Sequence, residues 1–347
     1  MHRICGSLSR NGYEVLLIGR KKKNSPPLLK AAFQQYRLHC WFEKGKAFYA
    51  EYNLRLFFFL FFRKMDAVCA IDLDSILPCL IVSKLKKIRR VYDAHELFTE
   101  LREVISRKMI HRLWLKVEKT AVPRFPAGYT VSEGIAVEFN RRYGCQYETI
   151  RNLPVWRPLP DCKPDAPPFI LYQGAVNEAR GFEQLIPAMH DVNARLVICG
   201  DGNFMPRLKE LIRREKLEDR VELRGMLSPD ALWETALQAK IAVAVPDREG
   251  LNQYLALPNK FFDYLHAGLP QVTVDYPEYR KLNAEWEVAI LIGNNKPAEI
   301  AAALNLLLHD NVLYDRLRRN CLRAREVLNW QEEEKKLIRF YSNLFQH

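Results

Sequence analysis

Short apolar runs suited to strands alternate with helical patterns along almost the whole of this 347-residue chain. The spacing predicts strands at 14–18, 67–71, 90–92, 128–131 and 148–150, then at 169–172, 195–199, 221–223, 241–245, 271–274 and 288–292. Helical patterns intervene, as at 181–190, 204–215 and 229–239. Parallel neighbours need a long crossover, usually a helix, and apolar runs without strict alternation suit strands buried on both faces. The fold class is therefore α/β with parallel sheets. A chain of this length exceeds what one core usually organises. Proline recurs too often in NLPVWRPLPDCKPDAPP, residues 152–168, for a helix or a central strand. That stretch reads as a linker between two Rossmann-like domains, 1–151 and 169–329, facing each other across a cleft. A last helix, 330–347, is expected to cross back to the first domain. Residues 2–11 read as helix, so the first domain lacks the strand with which such a half normally opens.

The formal charge of +12 and a pI near 9.3 imply an anionic partner. Cations are spread over many segments rather than interleaved with aromatics in one strip, which disfavours nucleic acid. They do cluster at 20–23, 84–90 and 102–124, all in the first half. Within 102–124, Ile105, Met109, Ile110, Leu113, Trp114 and Val117 recur at helical spacing among lysines and arginines, a pattern that suits either core packing or an interfacial helix. Eight cysteines, including Cys69, Cys162 and Cys199, form no C-x-x-C pair, which argues against zinc and against a disulfide framework. With no signal-like apolar run at the start, the reading is cytoplasmic. The segment LRLFFFLFF, 54–62, is about half the ~20 residues a membrane-spanning helix needs, and a buried helix is expected there.

The stretch LPNKFFDYLHAGLP, 257–270, carries the sharpest chemistry. Pro258 and Asn259 suit a helix start, with asparagine able to cap free N–H groups, and Gly268 suits a stop. Lys260 and Asp263 share one face, while Phe261, Phe262, Leu265 and Ala267 fill the other. A cation and a carboxylate at a helix N-terminus make a phosphate seat beside an acceptor for hydroxyls, which suggests a nucleotide sugar. A plain surface salt bridge is the alternative. Other strand ends add candidates. Tyr172-Gln173-Gly174 leads to Arg180, able to fork two phosphate oxygens. Gly200 and Gly202 in Cys199-Gly200-Asp201-Gly202 permit close backbone approach to a ligand, and Arg224-Gly225 offers main-chain groups to a base. In the first half, Asp93 and His95 end a strand, where imidazole suits polarisation or proton transfer. Asp72 and Asp74 would orient a polar acceptor or cap the following helix.

The order D-x-H-E, G-x(5)-R-G, G-D-G, R-G, then L-P-N-K-x-x-D-Y-L-x-A-G-L-P resembles glycosyltransferase family 4, retaining enzymes of the GT-B fold. The resemblance runs from Ser9-Arg10-Asn11-Gly12 to the final helix. It implies that Arg180 stands in the place of the family's phosphate-binding lysine, Asp263 in that of the glutamate on the donor ribose, and His95 in that of the histidine facing the transferred sugar. Ala175 replaces a customary arginine, a charge Lys260 would supply. Leu255 replaces the first glutamate of the paired acidic motif, with Glu249 farther upstream, and the family's opening strand and glycine-bearing loop are absent. The expected activity is retaining sugar transfer from a nucleoside diphosphate sugar to a glycan, lipid-linked or small-molecule acceptor, in cell-envelope or surface polysaccharide synthesis. His95, Arg180 and Lys260 are assigned to catalysis, and Gly174, Gly202, Arg224, Asn259 and Asp263 to donor binding. No metal and no tightly bound cofactor are expected. Peripheral contact with an anionic membrane at its cytoplasmic face is expected; a nucleic-acid partner is not. A nucleotide-sugar 2-epimerase, or a noncatalytic sugar-nucleotide binder, would carry a similar pattern.

Overall fold

The computed structural model describes residues 1–23, 25–160 and 167–346. The chain divides into two compact units, Met1–Arg151 with the segment from Glu332 onward, and Asn152–Gln331. Cys162 and part of the proline-rich stretch, 161–166, lie outside the described residues. Earlier in that stretch, Leu153 joins the core of the second unit, and Trp330 N–H donates to the Pro154 carbonyl at 2.8 Å.

The first unit runs α1 (His2–Arg10), β1 (Leu16–Lys21), β2 (Gln34–His39), α2 (Gly45–Phe61), β3 (Ala67–Ile71), α3 (Ile76–Lys86), β4 (Arg89–Ala94), α4 (Arg102–Ile105), α5 (Lys108–Ala121), β5 (Ala127–Thr130), α6 (Glu133–Tyr143) and β6 (Glu148–Thr149). The pairing is parallel throughout, as β1-β2 and as β3-β4-β5-β6. No described strand precedes α1, and none joins β1 to β3. Strand β2, QQYRLH, escaped the sequence pattern because its outward residues are polar and it lies at a sheet edge, pairing only with β1.

Helix α2 corrects an expectation. Its run LRLFFFLFF is not a buried helix: only Leu56 and Leu60 are buried, while Leu54, Phe58, Phe61 and the adjoining Phe62 are exposed. A helix apolar all round, covered on one side by α3 and by β2, where Phe59 stacks on Tyr36 at 4.6 Å, leaves its far side in solvent.

The second unit runs β7 (Phe169–Gln173), α7 (Phe182–Ala188), β8 (Arg195–Cys199), α8 (Met205–Arg214), β9 (Val221–Gly225), α9 (Pro229–Gln238), β10 (Ile241–Ala244), α10 (Leu251–Leu255), α11 (Asn259–His266), β11 (Gln271–Val274), α12 (Pro277–Trp286), β12 (Ala289–Ile292), α13 (Pro297–His309) and α14 (Asn311–Ala324). The last helix, α15 (Trp330–Gln346), belongs to the first unit from Glu332, where Phe340 meets Tyr129 edge-on at 5.2 Å. The second unit has one parallel sheet in the order β12-β11-β10-β7-β8-β9. Alternate residues along each strand feed opposite cores: Ile170, Ile198 and Val243 on one face, Leu171, Val197 and Ala242 on the other. Burial on both faces is what made these strands read as continuous apolar runs.

Candidate active site

In the second unit the chain lays β7, β8 and β9 outward in one direction, then returns to place β10 on the other side of β7. The strand order reverses between β7 and β10, and such a switch point is where open parallel sheets bind ligands. The loops that follow β7 and β10 are tied together. Asp247 N–H donates to the Ala179 carbonyl at 3.2 Å, and the Gln253 side-chain amide donates to the Ala179 and Asp247 carbonyls at 2.6 and 2.9 Å. Arg180 in turn donates to Gln253 Oε1 at 3.3 Å. Gly181 is needed for this closeness: its φ is +79°, and a Cβ there would lie 1.9 Å from the Val245 carbonyl oxygen.

Helix α11 starts beside the same switch. Pro258 holds the N-cap position, and Asn259 is the first helical residue, exposed and making no capping bond, contrary to the capping role expected of it. Gly268, at φ +67°, ends the helix as the sequence implies, with Leu269 N–H returning to the Tyr264 carbonyl at 2.9 Å. Phe261, Phe262, Leu265 and Ala267 are buried, which leaves Lys260 and Asp263 on the remaining face. The Lys260 ammonium lies 3.8 Å above the Tyr172 ring centroid and close against Gly174, where an added Cβ would come 3.2 Å from Lys260 Cε. Burial, then the Arg180 charge, hold the Lys260 pKa well below the usual lysine range, while Asp263 acts in the opposite sense. Asp263 Oδ2 accepts from Gln173 Nε2 at 2.9 Å, and Gln173 N–H donates to the Tyr264 hydroxyl at 2.8 Å. Lys260, Asp263, Arg180 and Gly174 are thus brought together around the ends of β7 and α11.

Two further donor-binding candidates have close neighbours within the protein. A Cβ at Gly202 would lie 2.3 Å from the Val176 carbonyl oxygen and from Asn177 Oδ1, and one at Gly200 would lie 1.8 Å from the Gly174 carbonyl oxygen. These glycines let neighbouring loops approach one another, so the close approach they permit is loop to loop. The Arg224 guanidinium is committed to Glu222, with Nε to Oε1 at 2.7 Å. Gln173 and Gln253 were not singled out from the sequence. A polar residue ending an otherwise apolar strand was a usable signal for Gln173; LNQYL offered none for Gln253.

In the first unit, His95 follows β4. Its Nε2 lies 3.2 Å from Oδ1 of the buried Asp93, and its backbone N–H donates to Asp72 Oδ1 at 2.9 Å. Asp72 therefore fixes the chain at His95 and makes no capping bond to the helix after it. It does so at φ +53°, a region a non-glycine residue adopts only when its surroundings hold it there. Burial, reinforced by Glu96 and Asp93 and opposed by His95, pushes the Asp72 carboxyl up to about 7. For His95, burial acts downward, but the Asp93 carboxylate 3.2 Å from its Nε2, with Asp72, outweighs it and raises the imidazole pKa. Both groups hold more protons folded than unfolded, so their contribution to stability is present at low pH. It is lost as pH rises from the usual carboxylate value to about 7 for Asp72, and through the raised imidazole value for His95. Asp72→Asn is expected to flatten the fall in unfolding free energy between pH 5 and pH 8 by roughly 1–3 kcal/mol. Urea titrations at the two pH values check this, and an unaltered pH slope would remove Asp72 from the account.

Residues 161–323 match the sequence model of glycosyl transferases group 1. Alpha-D-kanosaminyltransferase of Streptomyces kanamyceticus is 26% identical over 168 residues, which make up 45% of this chain and 40% of that protein. Among solved structures, the sucrose-phosphate synthase of Thermosynechococcus elongatus superposes with a TM-score of 0.80 at 18% identity, covering 99% of this chain and 92% of that one. The Anabaena protein HepE, solved in complex with UDP, superposes with a TM-score of 0.72 at 12% identity, covering 95% of this chain and 100% of the other. The β7–β10 switch falls within the matched segment. Residues 161–323 therefore match glycosyl transferases group 1, in a chain whose fold is that of solved glycosyltransferases.

Proposed function

We propose that the protein is a family 4 glycosyltransferase that moves a sugar from a nucleoside diphosphate sugar to an acceptor hydroxyl with retention at the anomeric carbon. The observation that carries this reading is the pairing of Lys260 with Asp263 on the first turns of α11, in the field of Arg180 and at the strand switch. When the bond from the anomeric carbon to the diphosphate oxygen breaks, negative charge collects on the diphosphate. Arg180, Lys260 and the N–H groups opening α11 are the donors that stabilise it. A dianion against both cations would also reverse the pressure on Lys260 to lose its proton. Asp263, oriented by Gln173, accepts from the ribose hydroxyls. Gly174 and Asn259 line the diphosphate side, while Gly202 and Arg224 act on the donor through the loops they hold. His95, held by Asp93 and Asp72, polarises the transferred sugar. The UDP held by HepE supports a nucleotide donor.

The acceptor we propose is a glycan or lipid-linked saccharide of cell-envelope or surface polysaccharide synthesis, met in the cytoplasm by a protein touching the membrane peripherally. Incubation with UDP-, GDP- and ADP-sugars, with product configuration read by NMR, tests the reaction. Inversion at the anomeric carbon, or release of nucleotide and rearranged sugar with no acceptor present, would overturn it. Within the same reading, Asp263→Ala is expected to weaken donor binding by roughly 1.5–3 kcal/mol, the usual worth of a hydrogen bond to a charged group. Unchanged affinity by calorimetry in a folded variant would remove Asp263 from the ribose.

A further inference from the structure

Large apolar side chains are unevenly exposed in this protein. Among the described residues, the exposed ones concentrate in the first unit between Leu28 and Leu113, and α2, α3 and α5 each turn apolar side chains at i, i+4 spacing outward, with Ile105 of α4 beside them in sequence. On α2 this stripe is Leu54, Phe58 and Phe61, with the adjoining Phe62; on α3 it is Ile81 and Leu85; on α5 it is Met109 and Leu113. Phe62 is 78% exposed and Met109 75%. The helices are mutual neighbours: Tyr49 of α2 meets Trp114 of α5 edge-on at 5.4 Å, and the Lys86 ammonium of α3 lies 5.9 Å from the Phe61 ring centroid of α2. Exposed apolar side chains gathered on neighbouring helices and rimmed by charge mark an interaction surface.

Cations accompany every stripe. Lys44, Lys46, Arg63 and Lys64 flank α2, Lys84 and Lys87 close α3, and Arg107, Lys108, Arg112, Lys116 and Lys119 run along α5, all exposed. Arg112, Lys116 and Lys119, with Leu115 and Thr120, also line a depression of about 330 Å³, room for a phosphate headgroup. None of the described helices is long and apolar enough to cross a membrane. A second copy of the chain would bring the same cations against these, so like charge disfavours self-association through this face.

We propose that the outer face of α2, α3 and α5 seats the first unit on an anionic lipid bilayer, with Phe58, Phe61 and Phe62 entering the headgroup–acyl boundary. The cations hold the phosphate layer while the aromatic ridge supplies the apolar burial, the division of labour of an interfacial helix. This seat does not rest on the sugar-transfer reading. Vesicle binding without turnover would sink the transfer alone, and turnover on a soluble acceptor without vesicle binding would sink the seat alone.

The test is co-sedimentation of the full chain with phosphatidylcholine vesicles, with and without phosphatidylglycerol. Binding is expected to require the anionic lipid and to fade as salt rises. Phe58→Ser/Phe62→Ser alters side chains that pack little in the fold, and is expected to weaken partitioning about tenfold or more. Lys108→Gln/Arg112→Gln/Lys116→Gln is expected to abolish the dependence on anionic lipid. Circular dichroism confirms that each variant is folded. Absence of binding at low salt, or binding equal in wild type and the phenylalanine variant, would overturn the seat. So would a dimer in analytical ultracentrifugation that the phenylalanine variant dissociates, because this face would then belong to a second copy.

Discussion

Lys260→Ala is expected to lower the rate of sugar transfer roughly 10²–10³-fold, the usual cost of removing one preorganised donor from a developing oxyanion. The same change should leave the fold intact. In the free protein the Lys260 ammonium is disfavoured by burial and by Arg180, so its removal takes away a strained charge rather than a stabilising one. In the proposed reaction Arg180 and Lys260 address one diphosphate, so their effects should be coupled. The double alanine variant is expected to depart from the sum of the single losses. Calorimetry with a nucleoside diphosphate and with the nucleoside alone separates the possibilities. Each single change should weaken the diphosphate far more than the nucleoside, and equal losses for both ligands would place these side chains away from the phosphates.

His95→Ala is expected to reduce kcat by roughly 10²–10⁴-fold, the range for a group that polarises or transfers a proton in the transition state. Nucleoside diphosphate affinity should change little, because the cations assigned to the diphosphate stand in the other unit. Burial lowers the imidazole pKa, and the adjacent Asp93 carboxylate, 3.2 Å from Nε2, overcomes it and raises that pKa. Asp93→Asn should therefore move the imidazole limb of the kcat–pH profile to lower pH, with a loss of rate at neutral pH. A kcat unaffected by His95→Ala, or a pH profile that Asp93→Asn does not displace, would leave His95 without a part in the reaction.

Much of the molecule was legible because it is encoded over short stretches. Strands 195–199 and 271–274 coincide with β8 and β11, since β strands buried on both faces announce themselves as apolar runs. The limits of α11 followed from Pro258 and Gly268, whose effects are those of their own backbones. The shared face of Lys260 and Asp263 followed from helical pitch alone.

Other features depend on partners far away in the chain. The bond from Gln173 to Asp263 joins residues 90 positions apart, and that from His95 to Asp72 spans 23. Neither periodicity nor capping preference carries such a distance, so Asp72 read as orienting a polar acceptor or as a helix cap, and its bond to the His95 N–H was out of reach. Gly200 and Gly202 read as room for a ligand or as a plain turn, and only the fold shows that the atoms crowding them belong to the loop after β7. Helix α2 shows the division most plainly. Composition determined that the run 54–62 is apolar and helical, but which of its faces is covered depends on how many neighbours the fold supplies. Only the tertiary structure decides that its phenylalanines stand in solvent, because burial is a property of the packed neighbourhood and not of the side chain.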